Sequence, residues 1–138
     1  MAPLLAFSLV VAEWLWPRSV LSAPPPYPKP LAHIPTIEER LVNESTRQGL
    51  PAHIALNVAW VESRFKEQMV SSTHDYGVMQ LNIRYFPSAP HMTTDQNIRA
   101  GVELLARYWE LSHDEVLTAR AYHQGPSALK GGRKHNAR

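Results

Sequence analysis

The chain contains no cysteine. That rules out disulfides and thiolate metal sites. A strong excess of one charge is also missing. The 14 Lys and Arg residues stand against 12 Asp and Glu, a formal net charge of +2, and the basic residues are spread along the sequence. This balance argues against nucleic acid as the main partner. A sequence pI near 9.1 is compatible with an anionic polymer and favours one only weakly. The seven histidines show no His-Glu-x-x-His or comparable ligand spacing, so no metal is expected. His33, His53, His91, His113 and His135 read as structural or surface residues. No phosphate loop, nucleotide fingerprint or internal repeat is present, and no cofactor is expected. The apolar run at residues 2–12 is too short to cross a membrane as a helix.

What is present has a clear order. Residues 1–23 read as a signal peptide or leader. The apolar run supplies a core of the usual length, and Val20-Leu21-Ser22-Ala23 offers small residues for a peptidase. No Lys or Arg precedes the run, and Glu13 interrupts it, so an N-terminal anchor or plain leader is the alternative to export. Residues 24–35 form a linker rich in proline (Pro24, Pro25, Pro26, Pro28, Pro30), extended and spacer-like. A domain spans 36–129. Residues 130–138 form a basic tail expected to lack structure.

Within the domain the pattern is helical. Thr36-x-x-Glu39 is a capping box and Gly49 a helix stop. Pro51 suits the first turn of a second helix over 51–69, where Ile54, Val58, Val61, Phe65 and Met69 form one apolar stripe. Glu62 falls at the edge of that stripe. Residues 70–90 have turn chemistry, and 75–82 suit a short hairpin or an irregular loop. A third helix is expected over 95–111, with Ile98, Val102, Leu105 and Trp109 on one face. Ser112-x-x-Glu115 is a second capping box, opening a helix that ends near Gly125-Pro126. The fold class is mainly α, with a small irregular or β insertion. Trp60 and Trp109 fit core packing better than sugar stacking.

Glu62 carries the chemistry. An acid set among apolar helical residues keeps its proton to higher pH and can donate it to a glycosidic oxygen. Glu62-Ser63-x-Phe65, then Gly77-x-Met79-Gln80, then Ala121-Tyr122-x-x-Gly125-Pro126, with Asn97-Ile98-x-x-Gly101 between, resembles the soluble-type (SLT domain) lytic transglycosylase family of the lysozyme-like superfamily. The resemblance covers residues 37–129. It implies a lysozyme-like helical domain that cleaves the β-1,4 bond between N-acetylmuramic acid and N-acetylglucosamine in peptidoglycan. The products would carry 1,6-anhydromuramyl ends. Glu62 would be the single acid and base. Ser63, Met79, Gln80, Asn82, Tyr122 and His123 would form the substrate site, with Ser63 steadying the backbone or hydrogen-bonding near Glu62 and the Tyr122 hydroxyl aimed at Glu62 or at the N-acetyl group. The competing readings are a helix-surface serine for Ser63, core packing for Met79 and Tyr122, and a turn hydrogen bond for Gln80.

His123-Gln124 departs from the family's usual Asn-Ala, and His74-Asp75 from its usual Gly-Ala. The run from Ser72 to Asn82 also looks like the active-site strand of animal-type lysozymes, where an Asp is a second carboxylate. Asp75 is therefore either a catalytic partner or a turn aspartate. Within that run, Asp75-x-Gly77-x-Met79-Gln80-x-Asn82 also resembles transglycosylases attached to secretion, conjugation or pilus machines. The resemblance implies a monomeric, exported enzyme of the bacterial periplasm or envelope. The alternatives are a lysozyme-type hydrolase using Glu62 and Asp75, or a non-catalytic wall-binding assembly factor.

Overall fold

The structure, a computed structural model, describes residues 32–134, with side chains placed through Lys130. The expected leader, most of the proline-rich linker and the last residues of the tail lie outside the described residues. Every described element belongs to one unit that begins at Ile34.

Helix α1 (Ile37–Gln48) starts as its sequence requires. The Thr36 hydroxyl accepts from the Glu39 amide at 3.2 Å, and the Glu39 carboxylate accepts from the Thr36 amide at 2.8 Å. The helix ends on Gly49, whose φ of 70° is the left-handed cap glycine provides cheaply. Helix α2 (Ala52–Ser63) follows, and it is shorter than the apolar period suggests. Arg64 and Phe65 both turn left-handed, with φ of 52° and 61°. The chain therefore leaves the helical path before Phe65 and Met69. No glycine or proline marks this stop, which hid it from sequence signals. Phe65 packs on Trp60 instead, with ring centroids 5.5 Å apart, and the Arg64 guanidinium lies over the same indole. Trp60 is half-exposed rather than a core residue.

The buried face of α2 also differs from the expected stripe. Ile54, Ala55, Val58, Ala59 and Ser63 are buried, whereas Val61 is 78% exposed. At roughly 100° per residue, Glu62 points along the middle of this face, at its last turn, rather than along its edge.

The insertion is a two-stranded antiparallel hairpin, β1 (Asp75–Tyr76) and β2 (Leu81–Asn82), pairing Asp75 with Asn82 and Tyr76 with Leu81. A short 3-10 turn (Ala89–His91) leads to α3 (Thr94–Ser112). That helix is capped by a Thr93–Gln96 box and buries Ile98, Val102 and Leu105 as its period requires, with Trp109 packed at the margin. Helix α4 (Glu115–Gln124) is capped by Asp114, not Ser112. The Asp114 carboxylate accepts from the Leu117 amide at 2.8 Å. Ser112 is the last residue of α3, and its hydroxyl donates to the Tyr108 carbonyl at 2.9 Å. Gly125 ends α4, and 3-10 turns cover Pro126–Lys134, so helical turns continue into the start of the stretch expected as a tail.

Helices α1 and α2 pack together, α1 packs on α3, and α3 on α4. The core lies among them, built from Leu41, Ile54, Val58, Ile98, Val102 and Leu105. The tip of the hairpin joins it. Val78 and Met79 are fully buried. No described helix is long and apolar enough to cross a membrane.

Candidate active site

A buried turn must place every backbone polar group, because an unpaired one costs roughly 1–3 kcal/mol. The turn between β1 and β2 does so with side chains from three helices. Ser63, at the end of α2, donates to the Val78 carbonyl at 2.7 Å. Asn97, in α3, accepts from the Met79 amide and donates to the Tyr76 carbonyl, both at 2.8 Å. Tyr122, in α4, donates its hydroxyl to the Met79 carbonyl at 2.7 Å. Gln80 folds its amide back onto the Gly77 carbonyl at 2.9 Å and the Met69 carbonyl at 3.2 Å. Two glycines make room. A Cβ on Gly101 would lie 2.5 Å from that of Met79, and one on Gly77 would lie 2.7 Å from the Asn97 side chain.

This turn forms one border of an open groove of about 630 Å³. Glu62 and Asp75 both line it, with Gln80, Asn82, Tyr122 and His123. Ser63 and Met79 do not. Ser63 is 1% exposed and spends its hydroxyl on the turn, while the Met79 side chain lies in the core against Gly101. Neither side chain borders the groove: Ser63 steadies the backbone of the turn, as one expectation for it had it, and Met79 packs in the core. The Tyr122 hydroxyl points at the Met79 carbonyl rather than at Glu62. Burial raises its pKa above the usual tyrosine range, so it stays a neutral donor.

The two carboxyls of the groove have opposite surroundings. The Glu62 side chain is 20% exposed. Burial raises its pKa; the nearby His123 charge opposes the rise, and Asp75 adds to it. Glu62 is also the penultimate residue of α2, where the helix dipole disfavours an anion. Asp75 is held the other way. Burial would raise its pKa, but hydrogen bonds from Ser71, Thr73 and Asn82 outweigh that and lower it. Ser71 donates at 2.6 Å and Asn82 at 2.7 Å, and Thr73 donates to the same oxygen as Ser71. Asn82 is thereby occupied as the partner of Asp75, and its own oxygen accepts from the Arg84 amide at 2.9 Å. His123 is exposed, with Nδ1 3.6 Å from a Glu62 carboxylate oxygen. That is an ion-pair distance rather than a hydrogen bond.

The rest of the groove comes from residues the sequence reading passed over. Tyr85, Phe86, Leu104 and Tyr108 supply aromatic and aliphatic lining. Leu104 and Tyr108 are four apart on α3, a second stripe beside the core stripe. Tyr85 stands in an irregular segment and is 74% exposed. Such a large exposed aromatic in a loop was the available signal. A smaller hollow of about 340 Å³ lies between residues 67–70 and the start of α3; its one carboxylate, Glu67, accepts from the Thr94 hydroxyl at 2.5 Å. Among the described residues no cluster of His, Asp or Glu is arranged to hold a metal ion.

The groove thus brings together one carboxyl whose pKa is raised and one whose pKa is lowered, beside an aromatic and aliphatic wall. A family model described as the transglycosylase SLT domain matches residues 41–138. A comparison with curated protein sequences finds no match.

Proposed function

Because the chain belongs to the transglycosylase SLT family, we propose that it is a peptidoglycan lytic transglycosylase with Glu62 as its acid and base. The observation that carries this reading is the half-buried Glu62 carboxyl at the end of α2, facing the groove, its pKa raised by burial. Glu62 gives its proton to the glycosidic oxygen as the bond from muramyl C1 to that oxygen breaks. The positive charge that develops on the muramyl ring is met by the C6 hydroxyl of the same sugar. As the C6 oxygen bonds to C1, its proton passes to the Glu62 carboxylate. The acid is restored, and no water is consumed. Intramolecular attack of this kind reaches effective molarities of about 10⁵ M or more, which is why one carboxyl suffices where hydrolytic glycosidases need two.

A second reading has its own support. Asp75 lines the same groove and is held ionised by three side-chain donors. Two carboxyls on one groove, one with its pKa raised and the other with its pKa lowered, are the arrangement of a two-carboxylate hydrolase. In that case Asp75 would stabilise or trap the muramyl cation, and water would complete the cut.

Mass spectrometry of the soluble products from purified peptidoglycan separates the two. Transglycosylation gives anhydromuropeptides, each lighter by one water than the hydrolytic product. Glu62→Gln should abolish release in either case. Asp75→Asn should leave anhydro products forming under the first reading and stop turnover under the second. Release of neither product by the unmutated protein would remove both readings and leave the wall-binding factor. The substrate puts the enzyme in the cell envelope after export, where a secretion, conjugation or pilus machine could use a local opening in the wall.

A further inference from the structure

His123 is where this chain departs from the family's usual Asn, and its position gives the departure a consequence. Three groups in the groove face Glu62. Asp75, on β1, is an anion and favours the protonated acid. Tyr122, on α4, stays neutral, with its hydroxyl committed to the Met79 carbonyl, and adds no charge. His123, on the last turn of α4, is the basic one, and its ring nitrogen comes within 3.6 Å of the carboxyl. The histidine side chain is 74% exposed. Burial raises the pKa of Tyr108, on the groove side of α3, so it adds no charge either.

We propose that His123 is a positioning residue for the catalytic proton, competing with the substrate for it and so setting the upper pH limit of cleavage. The two side chains share protons. With one proton between them, it resides either on Glu62, ready for the glycosidic oxygen, or on His123, leaving an imidazolium beside a carboxylate. The proton count is the same in both forms, but only the first can start the reaction. The charge on His123 favours the second form. An exposed partner at this distance couples weakly, so the effect is a few-fold change rather than an on–off switch.

The inference rests on reading Glu62 as the acid, and its test has an arm that does not need activity. The Glu62 carboxyl is followed by 13C NMR through a pH titration of the full chain, unmutated, as His123→Asn and as His123→Lys. In His123→Asn the Glu62 midpoint should move to higher pH, because the competing charge is gone. In His123→Lys, where a charge persists, it should stay at or below the unmutated value. The alkaline limb of kcat/KM on peptidoglycan should follow the same order. On that limb His123→Asn should retain about threefold more of its plateau activity than the unmutated chain. A Glu62 midpoint unmoved in His123→Asn, or moved alike in both variants, would overturn the proposal. So would a changed KM with an unmoved midpoint, which would make His123 a substrate contact. If the unmutated chain cleaves nothing, the functional reading fails, and the titration still decides the coupling.

Discussion

Two carboxyls in one groove, Glu62 and Asp75, are pulled in opposite directions by their neighbours, and this has a signature in stability. The folded-state pKa of Glu62 is raised. Its proton therefore favours the fold at low pH, and that contribution is lost as pH rises through the folded value. Wherever Glu62 is ionised, the fold carries a half-buried anion. Glu62→Gln removes it and should stabilise the protein at about pH 7.5 by roughly 0.5–2 kcal/mol, with the gain shrinking on acidification. The folded-state pKa of Asp75 is lowered. Its contribution is present above the unfolded value and lost as pH falls through the folded one. Asp75→Asn should therefore cost about 1 kcal/mol near neutrality, with the loss shrinking in acid. Urea melts of both variants across pH check the signs. Residue type and apolar setting made Glu62 legible in the sequence. The state of Asp75 was not, because it depends on Asn82, seven residues away across the hairpin, and on where the hydroxyls of Ser71 and Thr73 point.

At the scale of elements, the family motifs turn out to be mostly scaffold. Ser63, Asn97 and Tyr122 reach from separate helices to one buried turn, and Gly77 and Gly101 let it sit close. The residues that hold the turn also fix the end of α2, and hence Glu62. Gly101→Ala puts a methyl group into the Met79 side chain at 2.5 Å. It should destabilise the domain by about 1–3 kcal/mol and lower cleavage without shifting its pH profile, read by thermal melts and a pH series. The starts and stops that carry their own chemistry were legible: the Thr36–Glu39 box, Gly49 and the α3 stripe. The end of α2 was not, since Arg64 and Phe65 adopt left-handed geometry without being glycine. The Ser112 box misled for a related reason. Asp114 offers a carboxylate two residues later, and Ser112 remains inside α3.

For the whole molecule, apolar period located the α3 face of the core and part of the α2 face, Ile54 and Val58, and the described residues form four α-helices with a small hairpin. The groove could not be read in the same way. Its lining combines the end of α2, the hairpin, the segment after it, one side of α3 and the end of α4. None of these stretches looks like a binding surface alone. Tyr85 shows the difference, since it is exposed, outside the core and on the groove wall. Tyr85→Ala should leave the melting temperature unchanged and raise KM for glycan strands about threefold to tenfold, the loss of one stacked ring. Steady-state kinetics on solubilised strands check this. The share that α4 takes in the groove also orders events in time. A ribosome that has translated only as far as α3 has already made Glu62, but neither Tyr122 to secure the turn nor His123 to border the carboxyl. A nascent chain of that length has only part of the groove, which is completed when the last helix docks.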